Sequence, residues 1–303
     1  MRQVTLVGAA RTLPVIGQGT WGMGEARARR PAEVEALRLG ISLGMTLIDT
    51  AQFYGAGGAE EVVGEAIADC RDQVFVITKL WPSNAGYAPA LAAVRASLAR
   101  LRLERVDALL LHWPVAPALL AGTLRAFAEL QASGAVGFVG VSNFDARWLR
   151  AAGRAAPPDL RLAFNQVPYA LANRRVEHAV LPFAQAHEQV LMAYGPLGHG
   201  RLPSWRGYPA LKALAATRGA TPHQLALAFV TSRPGVVAIP KASSPAHVRS
   251  NAAAGDLALT PDEVTGLEAA FPRGSDAAQW VPPASPTLFR LVLAVERLRL
   301  RRR

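Results

Sequence analysis

Residues 47–54 read Leu47-Ile48-Asp49-Thr50-Ala51-Gln52-Phe53-Tyr54: an apolar run ends in an aspartate, and a tyrosine follows five positions later. The small and polar residues between them are unsuited to continuing a strand. In a parallel α/β barrel, a strand that ends in this way brings a carboxylate to the rim, and the following loop places a phenol beside it. An aspartate that only caps a loop and a tyrosine that only packs would give the same letters, so the surrounding sequence has to decide.

Outward from this stretch, short apolar runs alternate with amphipathic runs along the chain. Strands are predicted at residues 17–21, 46–49, 74–79, 106–111, 137–141, 162–166, 190–194 and 235–239. Helices are predicted at 32–44, 59–69, 88–101, 119–132, 145–152, 173–187, 207–218 and 245–253. A hairpin from the runs 3–7 and 12–16 precedes them, and additional helices fit 221–230 and 260–270. Eight strand–helix units predict an α/β fold, a (β/α)8 TIM barrel capped by an N-terminal β-hairpin, with extra C-terminal helices.

Residues 17–22, Gly-Gln-Gly-Thr-Trp-Gly, match the pattern G-x-G-x-x-G, which in an open doubly wound sheet binds the phosphates of a dinucleotide. That function needs the glycines to lead from a strand directly into a helix. Here a loop follows, and the next helix begins only near Pro31, a residue favoured in the first helical turn. The barrel is therefore preferred to the open sheet, which would also leave the polar residues at the strand ends unexplained.

Composition limits the domain organisation and the partners. The 303 residues are 51% apolar and contain no long central linker, which predicts one domain over residues 1–286, including a C-terminal loop at 272–286. An arginine-rich basic tail follows at 287–303. The formal charge of +11 comes mainly from arginines scattered over amphipathic segments, without an aromatic-interleaved basic patch, so we expect no nucleic-acid partner.

Cysteine and hydropathy patterns indicate the compartment. A single cysteine, Cys70, allows neither a disulfide framework nor a thiolate metal cluster, and it agrees with a reducing compartment. The apolar runs are shorter than the roughly 18 residues of a membrane span, and no signal-peptide core forms near the first residues. Histidines and acidic residues show no metal-ligand spacing. We therefore expect a cytoplasmic protein without a membrane partner and without a metal.

Two further predicted strands end in residues that handle protons. Lys79 closes the third strand, and His112 closes the fourth after three leucines. A lysine in this place is usually a surface residue, and such a histidine is usually a packed one. With Asp49 and Tyr54, however, they form a set that suits general acid catalysis. An ammonium lowers the pKa of a phenol from its usual value near 10, a carboxylate holds the ammonium, and an imidazole orients a carbonyl oxygen.

In this combination the sequence resembles the aldo-keto reductase family, and the resemblance covers nearly the whole chain. It implies that the catalytic tetrad is Asp49, Tyr54, Lys79 and His112. It also implies a nicotinamide cofactor, with the carboxamide bound by Ser142 and Asn143 of the motif Gly-Val-Ser-Asn-Phe and by Gln166, and with Tyr194 stacked on the ring. The other cofactor-binding residues it implies are Gly19, Thr20, Trp21, Asp49, Gly195, Pro196, Leu197, Gly198, Ile239, Lys241, Ser243, Ser244, His247 and Asn251.

Within the family, residues 17–25 and 239–243 resemble most the bacterial methylglyoxal reductase branch. Three positions depart from the family pattern: glycine at 195 where serine is typical, alanine at 242 for a serine of the phosphate region, and histidine at 247 for an arginine beside the adenine. Lys241 and the hydroxyls that follow it still suit a 2′-phosphate, so NADPH is favoured over NADH.

The resemblance implies hydride transfer from NADPH to a small aldehyde, ketone or α-ketoaldehyde, with Tyr54 protonating the developing alkoxide. Trp21, Trp81 and Trp113 lie at or just past strand ends, and we expect them to line the substrate pocket. An aromatic wall favours small or flat carbonyl compounds. A regulatory or binding protein that holds NADP(H) on the same barrel with little turnover remains the alternative. We expect a monomer or a weak oligomer.

Overall fold

A closed barrel forms the body of the computed structural model, which describes residues 1–9 and 11–272. Two short antiparallel strands, β1 (Gln3–Thr5) and β2 (Thr12–Pro14), open the chain. Eight parallel strands follow, each paired with the next: β3 (Gln18–Gly19), β4 (Leu47–Asp49), β5 (Phe75–Leu80), β6 (Val106–Leu111), β7 (Val136–Ser142), β8 (Leu162–Pro168), β9 (Val190–Tyr194) and β10 (Val236–Ala238). The first and last strands meet, because the amide of Gly17 donates to Ala238 O and the amide of Ala238 donates to Val15 O, both at 2.8 Å. The predicted (β/α)8 barrel is confirmed.

Helices surround this barrel. They are α1 (Arg30–Ser42), α2 (Gly58–Ala66), α3 (Tyr87–Leu101), α4 (Pro117–Ala132), α5 (Ala146–Ala155), α6 (Val176–Ala186), α7 (Tyr208–Thr217), α8 (Pro222–Val230), α9 (Pro245–Ala254) and α10 (Pro261–Ala270). Every predicted strand and helix is present, with ends that differ by at most three residues. The Thr-Pro starts work as predicted: Thr221 and Thr260 each form a capping box with the residue three positions on.

One assignment from the sequence is wrong. The sequence pattern predicts 207–218 as a barrel helix and 221–230 as an additional helix, but the packing reverses these roles. Leu227 and Val230 of α8 belong to the apolar cluster of the barrel, whereas Leu211 and Ala215 of α7 pack in a separate cluster with Leu267 of α10. Both helices are amphipathic and similar in length, so only the packing distinguishes them.

Alternate strand residues face two different cores. Phe75 on β5 and Phe164 on β8 have ring centroids 5.9 Å apart, although these strands are not neighbours in the sheet. The two rings can meet only across the barrel, so Phe75, Phe164 and every second residue from them face the barrel interior. Because side chains alternate between the two faces of a strand, the inward-facing positions can be followed to the C-terminal strand ends. The residues that it places above the interior are Asp49, Lys79, His112 and Gln166.

The hairpin closes the opposite end of the barrel. Leu6 and Leu13 are fully buried in the same cluster as Leu47 and Phe75. The guanidinium of Arg11 lies 5.5 Å from the centroid of the Phe75 ring. The predicted capping hairpin is therefore confirmed, and it covers the end of the barrel opposite the C-terminal strand ends, where barrel enzymes carry their sites.

Some predictions concern other segments. Residues 17–22 run from β3 into a turn and a loop, and α1 begins at Arg30, so the glycine pattern does not form a strand-to-helix phosphate loop. Most of the loop 272–286, the tail 287–303 and therefore the domain boundary at 286 lie outside the described residues and stay predictions. No helix within the described part of the chain has both the length and the apolar character needed to cross a bilayer.

Candidate active site

An ion pair lies at the centre of the C-terminal end of the barrel. Lys79 at the end of β5 and Asp49 at the end of β4 are both buried, and Lys79 Nζ donates to Asp49 Oδ2 at 2.8 Å. The ammonium also donates to Thr50 O at 2.8 Å and to Tyr54 Oη at 3.1 Å. An ammonium has three N–H donors, so Lys79 uses all of them within this group. The lysine is fixed in place, and the phenol oxygen is one of the groups that fix it.

Tyr54 is presented by the loop between β4 and α2, and its side chain is buried. Because Lys79 can only donate, the phenol oxygen acts as an acceptor in their hydrogen bond, and the phenolic hydrogen remains available for another acceptor. The loop turns sharply after Tyr54, where Gly55 has φ 56° and Gly57 has φ 97°. These left-handed conformations favour glycine and allow the loop to return at once into α2.

His112 follows β6 and lies beside Tyr54, with 5.7 Å between the two ring centroids and an edge-on angle of 77°. It is buried, and its Nδ1 atom has no hydrogen-bond partner among residues 1–9 and 11–272. Burial, together with the nearby Lys79 cation, holds the pKa of His112 well below its usual value. The imidazole is therefore neutral at physiological pH, and it can orient a polar ligand atom without carrying a charge.

The phenol differs from the expectation based on the sequence. Burial raises the pKa of Tyr54 well above 10, and the negative charge of Asp49 adds to this shift. Burial also raises the pKa of Asp49 and lowers that of Lys79, against the attraction between the two groups. The predicted lowering of the phenol pKa is thus wrong for this structure, because Asp49 compensates the lysine and desolvation dominates. Tyr54 stays protonated, which is the form an acid needs.

Aromatic side chains build a wall above these groups. The ring of Trp21 meets Tyr54 edge-on at 5.0 Å, and Trp81 meets His112 edge-on at 5.0 Å. The ring of Trp113 lies 6.3 Å from that of His112 and is nearly parallel to it. Trp21 is 45% exposed, so this side of the wall is open to solvent. The structure brings the three predicted tryptophans to one rim around the tyrosine and the histidine.

Sequence reasoning missed one member of this wall. Phe53 stacks on Trp81 with 4.1 Å between centroids and an angle of 12°, and it lies 6.3 Å from Trp21. The signal was available, because Phe53 directly precedes the tyrosine in the loop after β4. Aromatic residues in such loops are common, however, and only the closed barrel shows which of them converge.

Amide groups lie next to the ion pair. Gln166 on β8 donates from Nε2 to Asp49 Oδ1 at 2.7 Å. Asn143, after β7, donates from Nδ2 to His112 O at 2.9 Å and accepts at Oδ1 from the Tyr194 hydroxyl at 2.9 Å. Ser142 donates to Gln166 O at 2.9 Å. Ser142 and Asn143, predicted from one motif, and Gln166 and Tyr194, predicted from the two strands that follow, thus form one connected polar group beside the tetrad.

The backbone segments around this polar group lie close to one another. Asn143 has φ 64°, a left-handed conformation that asparagine tolerates better than most residues. A Cβ atom at Gly19 would lie 2.8 Å from Ile239 O, and the amide of Gly19 donates to Pro240 O at 3.1 Å. Thr20 donates from its hydroxyl to Asp49 O at 2.9 Å. The loop after β3 is therefore tied both to the ion pair and to the segment after β10.

The segment after β10 carries cationic and hydroxyl groups. Lys241 is exposed and donates to Ser243 Oγ at 3.1 Å, and Ser244 caps α9 by accepting from the amide of His247 at 3.3 Å. Asn251 is buried, and His247 is exposed. The segment after β9 turns through Gly195 (φ 58°) and Gly198 (φ 63°), with Pro196 buried and Leu197 half-buried between them. The hydrogen bond of Lys241 and the one that the His247 amide donates to Ser244 are both local and do not involve the tetrad.

These groups fit a dinucleotide in chemical terms. Side-chain amides and a phenol at the barrel mouth suit an amide-bearing aromatic ring, and a lysine, serines and a helix N-terminus suit phosphates. Among the residues that the structure describes, no cluster of three or more His, Cys, Asp or Glu side chains is arranged to hold a metal ion.

Comparisons with known proteins agree with this geometry. A sequence model described as the Aldo/keto reductase family matches residues 15–271. Methylglyoxal reductase YeaE of Escherichia coli K12 is 43% identical over 263 residues, covering 86% of this chain and 92% of that protein. A crystal structure of an aldo/keto reductase from Klebsiella pneumoniae in complex with NADP and acetate has a TM-score of 0.85 and 41% identity, covering 91% of this chain and 98% of that one.

A second crystal structure of an aldo-keto reductase from Klebsiella pneumoniae, in complex with NADPH, has a TM-score of 0.85 and 43% identity over 91% of this chain and 98% of that one. The resemblance that the strand-end residues indicated is confirmed by these matches. The chain is an oxidoreductase that belongs to the aldo/keto reductase family.

Proposed function

We propose that this aldo-keto reductase uses NADPH to reduce small aldehydes, ketones or α-ketoaldehydes to alcohols, with Tyr54 as the general acid. The observation that carries the proposal is the buried contact of Lys79 Nζ with both Asp49 Oδ2 and Tyr54 Oη. A surface lysine would not be buried against a carboxylate and a phenol at the mouth of a barrel. This arrangement holds a protonated phenol beside a neutral imidazole.

The side chains divide the proton chemistry among them. When bound, NADPH supplies a hydride to the carbonyl carbon. Tyr54 donates its phenolic proton to the carbonyl oxygen, so that the hydride and the proton together give the alcohol. Lys79 stabilises the phenolate that remains, and Asp49 balances the charge of the lysine. His112, which stays neutral, orients the carbonyl oxygen toward Tyr54.

The residues proposed to bind the cofactor are chosen by the hydrogen-bonding groups that they present. Asn143, Gln166 and Ser142 are proposed to hold the nicotinamide carboxamide, and Tyr194 to stack on the ring. Gln166 already donates to Asp49 in this structure, so cofactor binding and the ion pair share one amide. The phosphate and adenine end is assigned to the segments after β3, β9 and β10, which contribute Gly19, Thr20, Trp21, Gly195, Pro196, Leu197, Gly198, Ile239, Lys241, Ser243, Ser244, His247 and Asn251.

The substrate is proposed to be small, such as methylglyoxal. The support is the aromatic wall of Trp21, Phe53, Trp81 and Trp113, together with the similarity to the Escherichia coli methylglyoxal reductase YeaE. The stacked rings of Phe53 and Trp81, 4.1 Å apart, stand beside the imidazole of His112, and Trp21 meets Tyr54 edge-on. We further propose that the enzyme acts in the cytoplasm as a monomer or a weak oligomer.

The test is a panel of carbonyl compounds assayed with NADPH and NADH side by side. We expect consumption of NADPH with small aldehydes, and a Tyr54→Phe variant that loses about 10²- to 10⁴-fold in kcat, the usual contribution of a general acid. Cofactor binding by Tyr54→Phe, measured by fluorescence titration, should be unchanged. A Phe variant as fast as the parent would contradict the assigned acid. Tight NADPH binding without turnover over the whole panel would instead favour the regulatory or binding protein.

A further inference from the structure

Gln52 is a half-buried residue in the loop that carries Tyr54, and its side chain makes four hydrogen bonds. Its Nε2 atom donates to Ala93 O and to Ser97 Oγ, both at 3.0 Å and both on α3. Its Oε1 atom accepts from the amide of Trp81 at 3.1 Å and from Asn84 Nδ2 at 3.2 Å. A glutamine amide has two donors and one oxygen with two lone pairs, so all of its capacity is used.

Ser97, which accepts a hydrogen bond from Gln52, is itself fixed by further hydrogen bonds. Ser97 is fully buried and also accepts from Arg100 Nη2 at 3.1 Å. Arg100 pairs with the fully buried carboxylate of Glu60 through Nε at 2.7 Å, and Glu60 accepts from Thr78 Oγ1 at 2.5 Å. Thr78 directly precedes Lys79 on β5. Gln52 therefore connects α3 to the backbone of Trp81. The residue it binds on α3, Ser97, is in turn connected through Arg100 and Glu60 to Thr78, the neighbour of Lys79.

Gln52 acts on the aromatic wall through two adjacent residues. Phe53 follows it in the chain and stacks on Trp81 at 4.1 Å, and the backbone of Trp81 is bound by the Gln52 oxygen. Trp81 in turn meets His112 edge-on at 5.0 Å. One side chain thus sets the spacing between the loop after β4 and the loop after β5, which carry the two stacked rings.

We propose that Gln52 is a positioning residue that holds the Phe53–Trp81 stack closed and thereby restricts the pocket to small carbonyl compounds. This inference rests on the proposed function, because it assigns the substrate preference of the same site. The four side-chain hydrogen bonds of Gln52 go to Ala93, Ser97, Trp81 and Asn84 and not to the tetrad, so we assign its effect to Trp81 and Phe53.

The test compares Gln52→Leu, Gln52→Glu and the parent with a small α-ketoaldehyde and an aromatic aldehyde. Loss of the four hydrogen bonds should release the Trp81 loop, raise KM for the small substrate more than it lowers kcat, and shift the kcat/KM ratio toward the aromatic aldehyde by about tenfold, as for modest changes in pocket shape. Gln52→Glu keeps the oxygen that accepts from Trp81, so it should lie between the other two. Its result still decides the question if Gln52→Leu does not fold.

Two controls separate positioning from general damage. Gln73→Leu changes an exposed glutamine at the other end of β5, and it should leave the preference unchanged. In a Trp81→Ala background, which keeps the backbone amide but removes the stacked ring, Gln52→Leu should add no further change in preference. An equal shift in that background, or an unchanged preference in the single Gln52→Leu variant, would overturn the proposal.

A second readout does not need turnover. Acrylamide quenching of tryptophan fluorescence should increase in Gln52→Leu relative to the parent, and this increase should be absent in the Trp81→Ala background. If the parent reduced no carbonyl compound, the proposed function would fail while quenching still tested Gln52. If the parent turned over and quenching did not change, the role of Gln52 alone would be refuted.

Discussion

Burial sets the protonation of the individual residues around Tyr54. The phenol keeps its proton because its ionised form would be desolvated next to Asp49, and His112 stays neutral because its charged form would be desolvated next to Lys79. Both groups are therefore uncharged on either side of a buried ion pair. This state suits reduction of a carbonyl, in which the acid must begin protonated and the orienting group must not compete for the proton.

The depressed pKa of His112 has a consequence for stability. In the unfolded chain its imidazole takes up a proton near pH 6.5, whereas the folded protein resists protonation well below that pH. The unfolded state then binds more protons, so the free energy of unfolding should fall as pH decreases below about 6.5, by at most about 1.4 kcal/mol per pH unit for this one group.

A His112→Gln variant should lose this contribution, so its free energy of unfolding should fall less steeply than that of the parent between pH 6.5 and 5. Urea unfolding at several pH values measures both slopes. His178→Gln removes a histidine from the exposed face of α6 and serves as the control. Equal slopes for His112→Gln and the parent would show that the imidazole does not resist protonation in the fold.

At the scale of the element, the contact of α2 with α3 depends on a glycine. A Cβ atom at Gly64 in α2 would lie 2.4 Å from Leu101 O at the end of α3. The contact is with backbone, which cannot move aside as a flexible side chain can. Two helices that carry Glu60 and Ser97, the support of Gln52, are brought together at this point.

We expect Gly64→Ala to destabilise the protein, although alanine is the better helix former. The gain in helix propensity is about 1 kcal/mol, and the clash should cost about 1–3 kcal/mol, the usual range for overpacking. Gly153→Ala in α5 is the matched control, because its added Cβ meets nothing within 4 Å and it should stabilise. Thermal and urea unfolding of both variants measure the difference. A stabilised Gly64→Ala would show that α2 and α3 can separate freely.

At the scale of the whole molecule, an ionic cluster around the buried pair Arg174–Glu177 joins the outer helices to the barrel. Arg174 is 2% exposed and donates to Glu177 Oε2 at 2.8 Å, to Glu268 Oε1 on α10 at 2.5 Å and to Phe271 O at 3.2 Å. Arg233, before β10, pairs with the same two carboxylates. The cluster therefore fastens α10, the last described helix, to the loops around β8 and β10.

Replacing Arg174 should weaken this attachment. We expect Arg174→Met to lower the free energy of unfolding by about 3 kcal/mol, the lower end of the cost of breaking a buried ion pair, because Arg233 remains. Hydrogen exchange should rise first in α10. Arg161→Met breaks an ion pair with Glu188 in which both side chains are more than half exposed, and it should cost under about 1 kcal/mol. Similar losses for both variants would contradict a structural role of the cluster.

Much of the fold and of the site could be predicted because the signals are local. The spacing of apolar residues and the Thr-Pro pairs at helix starts predict every strand and helix to within three residues. The polar residues at the ends of β4, β5 and β6 identify Asp49, Lys79 and His112 as site residues. The roles of α7 and α8 could not be predicted, since two short amphipathic helices differ only in what they pack against. Phe53 and Gln52 could not be predicted for a similar reason: their partners lie in the loop after β5 and on α3, far along the chain.

The sequence by itself determined which chemical groups reach the C-terminal rim, because strand parity and strand ends are properties of neighbouring residues. Only the tertiary structure decided how those groups behave. Barrel closure set the 2.8 Å between Lys79 and Asp49 and the 3.1 Å between Lys79 and Tyr54, and burial reversed the predicted shift of the phenol pKa. The physical reason is that desolvation and contact distance depend on everything packed around a group. In residues 47–54, the sequence identified Tyr54 as the candidate acid, and the fold determined that its phenol stays protonated.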